Sequence, residues 1–249
     1  MAQWLDGTVV KRIGWNDHLF SLQIDCADFP AFTAGQFTKF GLRIDDTKVL
    51  SRPYSLVNAP QQPLLEILAV PVEEGQLSPQ LHTLKEGDPL CVMAPATGFL
   101  VIDEVPDATT LWMMATGTGV GPFLSILADR TVWSRFENIV LVYGARTQAD
   151  LAYMPLLQQW QQDYAGRFRF VPVVSREDNP GGLRGRIPGL IENGELEKVA
   201  GVTLAPANQH VMLCGNPDMI TETVAVLEQR GMHKHLRRKP GHVSLERYW

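Results

Sequence analysis

The pattern of apolar residues changes once along this chain of 249 residues, close to Pro106. Before Pro106, short runs rich in apolar and β-branched residues alternate with turn residues such as glycine, proline and asparagine. These runs cover residues 7–15, 19–26, 37–43, 50–58, 64–71 and 88–95. Short, closely spaced runs are typical of antiparallel strands. The first hundred residues therefore predict a six-stranded antiparallel β-barrel.

After Pro106 the apolar runs are separated by stretches long enough for helices. Strands are expected at residues 110–115, 139–143, 168–174, 210–214 and 242–248, and helices at 122–128, 151–164 and 218–230. Alternation of this kind is typical of a parallel sheet in an α/β domain. With the boundary near residues 100–107, we expect a barrel domain at 1–101 and a five-stranded parallel α/β domain at 102–249.

Composition excludes several classes of protein. The formal net charge is −5 and charged residues make up 20% of the chain, which argues against a surface built for nucleic acid. No segment reaches the roughly 18 uncharged apolar residues that span a bilayer, so we expect a cytoplasmic protein without a membrane segment. Cys26, Cys91 and Cys214 are too far apart for a Cys-x-x-Cys pair or an iron–sulfur run, and no metal site is expected.

A glycine-rich turn, ATGTGVGP at residues 115–122, follows an expected strand and opens an expected helix. Glycines let the backbone N–H groups of such a turn approach a phosphate, next to the positive end of the helix. Pro122 replaces the last glycine of the G-x-G-x-x-G fingerprint. The alternative is that tight turns need glycine for their own geometry.

Arginines recur at the ends of the following strands, at Arg146, Arg176 and Arg186. Ligands of open parallel sheets bind beyond the carboxyl ends of the strands, and guanidinium groups suit a 2′-phosphate. The acidic residue expected for an unphosphorylated ribose is absent there, which favours NADP over NAD. For any single arginine, a solvated loop position is the alternative.

Two further segments in the first half carry signals of local structure. In Arg52-Pro53-Tyr54-Ser55 the proline indicates an edge strand, and the side chains suit either ordinary packing or contact with a phosphate and a planar ring. Ser78 followed by Pro79 predicts an N-cap and the start of a short helix.

Four motifs together resemble the ferredoxin–NADP reductase family, in order and spacing over essentially the whole chain. They are RPYS at 52–55, GQLS at 75–78, GTGVGP at 117–122 and CGNP at 214–217. The likeness is closer to the bacterial ferredoxin/flavodoxin reductase branch, which the ending Arg247-Tyr248-Trp249 also resembles.

The resemblance implies an enzyme that carries electrons between NADPH and ferredoxin or flavodoxin through FAD. It implies FAD contacts at Arg52, Pro53, Tyr54, Ser55, Leu68, Ala69, Val70, Gly75, Gln76, Leu77, Ser78, Thr118, Tyr248 and Trp249. It implies NADP contacts at Gly117, Gly119, Ala145, Arg146, Ser175, Arg176, Arg186, Asn216, Pro217 and Asp218. Ser55, Cys214, Tyr248 and Glu246 are the expected catalytic residues, although Cys214 equally suits a small buried apolar residue.

The carrier protein is expected to dock on a basic run that contains Lys234, Arg237, Arg238 and Lys239. A local basic patch steers an acidic partner even when the net charge is negative. A solvated charge run and a weak nucleic-acid patch are alternatives.

We expect a monomer. A free-flavin or quinone reductase, a subunit of a larger oxygenase and a non-catalytic dinucleotide sensor remain competing functions.

Overall fold

The computed structural model describes residues 2–248, and these form two compact units. Residues 2–102 and Gly121–Arg130 make up the first unit, and Asp103–Val120 with residues 131–248 make up the second. The chain therefore enters the second unit, returns once to the first, and then completes the second.

The first unit is an antiparallel six-stranded sheet with two helices. Its elements are β1 (Gln3–Gly14), β2 (Phe20–Asp25), β3 (Phe37–Arg43), β4 (Val49–Ser55), β5 (Leu65–Ala69), β6 (Pro89–Ala94), α1 (Ser78–Thr83) and α2 (Gly121–Asp129). The strand order is β4-β3-β6-β1-β2-β5. Phe20, Leu22 and Ile24 alternate along β2 and lie fully buried in its core, as expected for one face of a strand.

The ladder of this sheet is not closed into a complete barrel. No strand pairing joins the edge strands β4 and β5 among residues 2–248, although the N–H of Val57, just beyond β4, donates to the carbonyl oxygen of Glu66 at 2.8 Å. The six antiparallel strands are confirmed. The expected barrel has the form of a curled half-barrel, in which a hydrogen bond just beyond β4 links it to β5.

The second unit is a parallel sheet with helices. Its elements are β7 (Thr110–Thr116), β8 (Asn138–Ala145), β9 (Phe168–Val174), β10 (Leu183–Arg184), β11 (Gln209–Gly215), β12 (Val243–Arg247), α3 (Thr131–Arg135), α4 (Met154–Asp163), α5 (Ile187–Glu192), α6 (Glu195–Ala200) and α7 (Pro217–Gln229). The strand order is β10-β9-β8-β7-β11-β12. Strands β7 and β8 are almost wholly buried and apolar, as in a sheet covered on both faces.

The parallel sheet has six strands in the described chain, so the expectation of five is wrong by one. The extra strand β10 contains two residues, with Leu183 beside Val173 and Arg184 beside Val174. A two-residue strand carries no periodicity that a sequence pattern can reveal. Helices α3, α5 and α6, with five or six residues each, were not expected for the same reason.

Helix α2 belongs by its contacts to the first unit, although its position in the sequence follows the expected domain boundary at 101. Ser125 Oγ donates to the carbonyl oxygen of Asn58 at 2.7 Å, and Gln61 Nε2 donates to Asp129 Oδ1 at 2.6 Å. Its buried residues include Phe123, Leu124 and Ile126. The helix therefore lies in the connection between the parallel strands β7 and β8, but belongs to the first unit by its contacts.

The order in which strands are added to the parallel sheet reverses between β7 and β11. From β7 the chain builds β8, β9 and β10 on one side, and then crosses to place β11 on the other side. In open α/β sheets, ligands bind at the carboxyl ends of the strands beside such a switch point.

None of the helices within residues 2–248 has both the length and the apolar character that a membrane crossing requires.

Candidate functional site

The edge strand β4 presents the first group of expected cofactor residues. Tyr54 pairs with Thr38 and Ser55 with Phe37 on β3, and the proline at 53 is accommodated because β4 lies at the sheet edge. Arg52 is exposed, Tyr54 is half-buried and Ser55 is buried. The strand thus offers a guanidinium group and one side of a phenol ring at the surface of the first unit.

The Tyr54 ring is held in place by its neighbours. It packs edge-to-face on Phe40, with 6.3 Å between the ring centroids and 76° between the planes. Burial raises the pKa of the Tyr54 hydroxyl to about 12, although the nearby charge of Arg52 lowers it in part. The phenol is therefore neutral at physiological pH, and its fixed ring is suited to lie against a planar cofactor.

The segment after β5 forms a tight turn before α1. The N–H of Gly75 donates to the carbonyl oxygen of Val72 at 2.8 Å, and a Cβ on Gly75 would lie 3.0 Å from that oxygen. Gln76 is exposed. The side chains of Leu68, Ala69 and Leu77 are buried and that of Val70 is half-buried, so the first three offer mainly backbone atoms to a ligand.

Ser78 does not cap helix α1, contrary to the expectation from the sequence. The N-cap is Leu77, the helix begins at Ser78, and Pro79 is its second residue. Ser78 Oγ accepts the N–H of Val72 at 2.9 Å instead, which closes the turn. The hydroxyl competes for a nearby backbone donor that the Ser-Pro pattern does not reveal.

The glycine-rich turn follows β7 directly and lies at the switch point of the parallel sheet. Gly117 has φ +56° with open space around its Cα, whereas a Cβ on Gly119 would lie 2.6 Å from the carbonyl oxygen of Cys214. Thr118 is buried. Gly119 is therefore needed for close packing on the end of β11, and Gly117 for a left-handed turn.

Three expected catalytic residues, Cys214, Glu246 and Tyr248, lie together at the ends of β11 and β12. Cys214 is the register partner of Glu246, and the N–H of Tyr248 donates to the carbonyl oxygen of Gly215 at 3.1 Å. Burial and, less strongly, the charge of Glu246 raise the pKa of the Cys214 thiol, while a hydrogen bond with Tyr248 lowers it. The thiol is thus neutral, fully buried and an unsuitable nucleophile. Trp249 lies outside the described residues.

The Asn216-Pro217-Asp218 turn has a clear structural role. Asn216 Oδ1 accepts the N–H groups of Asp218 at 2.9 Å and Met219 at 3.1 Å, which makes it the N-cap of α7. Its own N–H donates to Thr116 Oγ1 at 2.9 Å. The turn is thereby fixed against the end of β7, beside the glycine-rich turn.

The arginines expected at the 2′-phosphate follow three neighbouring strands. Arg146 follows β8, Arg176 follows β9 and Arg186 follows β10, and all three are exposed. Ser175 is also exposed, and its hydroxyl donates to the carbonyl oxygen of Ala145 at 3.3 Å. No ion pair engages Arg146, Arg176 or Arg186 within residues 2–248. Adjacent strands lie about 5 Å apart, so this edge of the sheet is a concentrated positive surface.

The basic run forms a short hairpin. The N–H groups and carbonyl oxygens of Leu236 and Lys239 pair with each other at 3.0 and 2.8 Å, which places Arg237 and Arg238 at the tip. Arg237 forms an ion pair with Glu104, whereas Lys234, Arg238 and Lys239 are exposed and have no ion-pair partner in the described chain. We call residues 234–239 the basic hairpin.

Sequence reasoning missed three residues that shape these surfaces: Glu104, Gln148 and Glu177. Glu104 lies 133 positions from its partner Arg237, so no local pattern links them. The Glu177 carboxylate accepts a hydrogen bond from the backbone N–H of Gln148, although Arg176 is its neighbour in the sequence. A carboxylate next to an arginine in the sequence does not reveal which donor it will choose in the fold.

The donor set fits phosphorylated cofactors. Exposed guanidinium groups without carboxylate partners are the expected ligands of phosphate, and a fixed, half-exposed phenol ring is suited to a flat heterocycle. The glycine turn adds a surface free of Cβ atoms at Gly117. Each of these features is present within its own unit.

Comparison with known proteins agrees with this chemistry. Residues 113–225 match the model of the oxidoreductase NAD-binding domain. The flavodoxin/ferredoxin–NADP reductases of Shigella flexneri and Escherichia coli are 53% and 52% identical to the chain, with complete coverage of both chains in each case. The crystal structure of a ferredoxin NADP+ reductase from Neisseria gonorrhoeae with bound FAD and NADP superposes with a TM-score of 0.94, at 32% identity and complete coverage of both chains. The chain therefore belongs to the flavodoxin/ferredoxin–NADP reductase family.

Proposed function

We propose that this protein is an FAD-dependent oxidoreductase that transfers electrons between NADPH and ferredoxin or flavodoxin. The observation that carries the proposal is the row of exposed arginines, Arg146, Arg176 and Arg186, which form no ion pair within residues 2–248 and lie beyond the ends of three adjacent strands. Those strands lie in the same sheet as the glycine-rich turn at the switch point. FAD, once bound, would supply the redox chemistry that links a two-electron hydride donor to a one-electron carrier.

The first unit is assigned the larger part of FAD binding. Arg52 supplies positive charge for a phosphate, Tyr54 lies against the flavin ring, and the buried Ser55 hydroxyl offers a hydrogen bond to a ring nitrogen. The turn residues Gly75, Gln76, Leu77 and Ser78, with Leu68, Ala69 and Val70 before them, are assigned to the remainder of FAD. Thr118, Tyr248 and Trp249 are the FAD contacts assigned to the second unit. All of these roles remain predictions.

The second unit is assigned NADPH. Ser175, Arg176 and Arg186, with Arg146 and Ala145, would hold the 2′-phosphate, because guanidinium groups bind phosphate through paired hydrogen bonds. Gly117, Gly119, Asn216, Pro217 and Asp218 line the switch point and are assigned to the rest of the dinucleotide.

Cys214, Glu246 and Tyr248 are assigned to the reacting end of the site. The thiol of Cys214 keeps its proton because burial raises its pKa, so its role is to fill space and orient a ring. Glu246, its register partner on β12, adds a polar neighbour. No proton transfer is assigned to any of the three.

The basic hairpin is assigned to carrier docking. Lys234, Arg238 and Lys239 are exposed and unpaired within residues 2–248, so their charges are available to an acidic protein. Arg237 forms an ion pair with Glu104, which partly neutralises its charge and gives it a structural role.

The proposal is tested by comparing NADPH and NADH with each carrier in a cytochrome-coupled assay. Reduction that depends on NADPH and on a carrier supports it, and equal rates without a carrier contradict it.

We also propose that the protein works as a monomer in the cytoplasm. All three cysteines are free and buried, which suits a reducing compartment. Light scattering of the purified protein and fractionation of cells that express it test the two parts separately.

A further inference from the structure

The two loops that carry Arg146 and Arg176 are joined beyond the ends of their strands. The N–H of Ser175 donates to the carbonyl oxygen of Ala145 at 3.1 Å, and the N–H of Arg176 donates to that of Arg146 at 3.0 Å. The two backbones therefore stay hydrogen-bonded for one residue beyond β8 and two residues beyond β9. This pairing places the two arginines on neighbouring stretches of backbone.

A second connection holds the same loops one step further along. The N–H of Gln148 donates to Glu177 Oε1 at 2.6 Å, and the Gln148 side chain donates from Nε2 to the carbonyl oxygen of Asp178 at 2.9 Å. Each arginine thus lies between a backbone pairing on one side and this Gln148–Glu177 bridge on the other. A short bond from an N–H to a carboxylate is among the stronger hydrogen bonds in proteins.

The turn after Arg146 is also fixed from within. Asp150 Oδ2 accepts the N–H of Thr147 at 3.2 Å and its hydroxyl at 2.9 Å, which forms a capping box. Consecutive N–H groups, at Thr147 and Gln148, are therefore satisfied by two different carboxylates. The turn has little freedom left once Glu177 is in place.

The position of the Glu177 charge needs an explanation. A carboxylate beside phosphate-binding arginines would repel the phosphate and compete for the guanidinium groups. In residues 2–248, Glu177 forms no ion pair with Arg146, Arg176 or Arg186, and its Oε1 is engaged by the N–H of Gln148. If the loop binds an anion, the benefit of the hydrogen bond that Glu177 makes with Gln148 has to exceed the repulsion between its carboxylate and that anion.

We propose that Glu177 and Gln148 are positioning residues that hold Arg146 and Arg176 side by side for one phosphate monoester, and so set the preference for the 2′-phosphorylated coenzyme. The inference rests on the proposed function, because it assigns the selectivity of that same site. Neither residue touches the reacting rings. Their effect is on binding, because the loop backbones that carry the two arginines are already held in place when the phosphate arrives.

The main variant is Glu177→Ala, which removes the acceptor of the Gln148 N–H. We expect the KM for NADPH to rise about five- to tenfold with kcat unchanged, because about 1–1.4 kcal/mol corresponds to that factor. The KM for NADH should change by less than about twofold, since NADH lacks the phosphate. Binding of adenosine 2′-monophosphate, measured by calorimetry, should weaken by the same factor as NADPH, whereas adenosine 5′-monophosphate should be unaffected.

Glu177→Gln separates geometry from charge. Its side-chain oxygen can still accept the N–H of Gln148, so the positioning account predicts affinities near those of the wild type. Gln148→Ala keeps the N–H but loses the bond to Asp178, and a smaller loss of NADPH affinity is expected. Glu192→Ala is the matched control, because Glu192 is an exposed carboxylate on α5 of the same unit.

The outcomes are distinct. Selective loss in Glu177→Ala with recovery in Glu177→Gln supports the proposal. Tighter NADPH binding in both Glu177 variants would show that charge alone acts, and equal losses with NADPH and NADH would show a general structural defect; either result overturns it. Unchanged NADPH affinity in Glu177→Ala also overturns it. A wild-type protein that shows no preference for NADPH over NADH would instead contradict the proposed function itself.

Discussion

The guanidinium group of Arg237 meets the carboxylate of Glu104 through hydrogen bonds from Nε to both carboxylate oxygens, at 3.1 and 3.0 Å, and a third bond from Nη2. These bonds lower the pKa of the Glu104 carboxyl. Both residues belong to the second unit. The contact ties the tip of the basic hairpin to the turn at Ile102–Glu104, so Arg237 and Arg238 are expected to act differently.

Replacing Arg238 and Lys239 together by alanine should weaken carrier docking. Because exposed charges act mainly on encounter, the apparent KM for the carrier should rise roughly five- to tenfold at low salt, with a flatter salt dependence. The kcat with ferricyanide, a small acceptor, should stay the same. Carrier titrations at two ionic strengths provide the measurement.

Two variants control that experiment. Lys198→Ala removes an exposed lysine from α6 and should leave the carrier KM unchanged. Arg237→Ala should act through the hairpin's position as well as its charge, so its effect should persist at high salt. An unchanged KM for the carrier after the loss of Arg238 and Lys239 would contradict the proposal that the carrier docks on the basic hairpin.

Replacing Arg176 and Arg186 together by alanine should reduce the use of NADPH selectively. Each lost hydrogen bond to a charged phosphate is worth about 1.5–3 kcal/mol, so the loss of both arginines should lower kcat/KM for NADPH by at least about a hundredfold. NADH, which has no 2′-phosphate, should be spared. Steady-state kinetics with both coenzymes check this, and parallel losses would argue against a 2′-phosphate site at these strand ends.

Gly119→Ala should destabilise the protein because its new Cβ would lie 2.6 Å from the carbonyl oxygen of Cys214 and from Gly215 Cα. The backbone must shift, and we expect a loss of about 1–3 kcal/mol in the free energy of unfolding. Gly189→Ala is the control, because Gly189 lies within α5 with nothing near the new Cβ; it should gain about 0.5–1 kcal/mol. Urea unfolding of both variants tests the difference, and equal effects would contradict the close packing of the glycine turn.

His210 should make the protein less stable in mild acid. Burial, followed by the charges of His235 and His242, lowers its pKa from 6.5 to about 3. Below pH 6.5 the unfolded chain therefore takes up a proton that the native state refuses until about pH 3, so stability falls as the pH drops. His210→Gln should remove about 1 kcal/mol of the loss between pH 7 and 5.5. Urea unfolding at both pH values measures it, and identical losses in the variant and the wild type would refute the assignment.

Long strands and helices were located from the sequence more accurately than short ones. Strands such as Phe37–Arg43 and Phe168–Val174 were located to the residue, because each is a run of seven residues that contains several apolar residues and is bounded by turn residues. The two-residue strand β10 carried no such pattern. The hydroxyl of Ser78 was misassigned because its partner, Val72, lies outside the helix that the pattern indicated.

Placement at the candidate site followed the same rule. The adjacency of Arg146, Arg176 and Arg186 was predicted, since parallel strands bring their carboxyl ends to one edge. The bond from Gln148 to Glu177, which connects the loops of Arg146 and Arg176, and the separate ion pair of Glu104 with Arg237 both join residues far apart in the sequence. They are visible only in the folded chain.

The central claim is that electrons pass from NADPH through FAD to a carrier protein. Its most direct test is an anaerobic absorbance experiment on the purified protein, in which NADPH is added first and oxidised ferredoxin or flavodoxin second. The account predicts flavin absorbance bands that NADPH bleaches and that either carrier restores. A protein without flavin absorbance, or a flavin that NADPH reduces but neither carrier reoxidises, would contradict it.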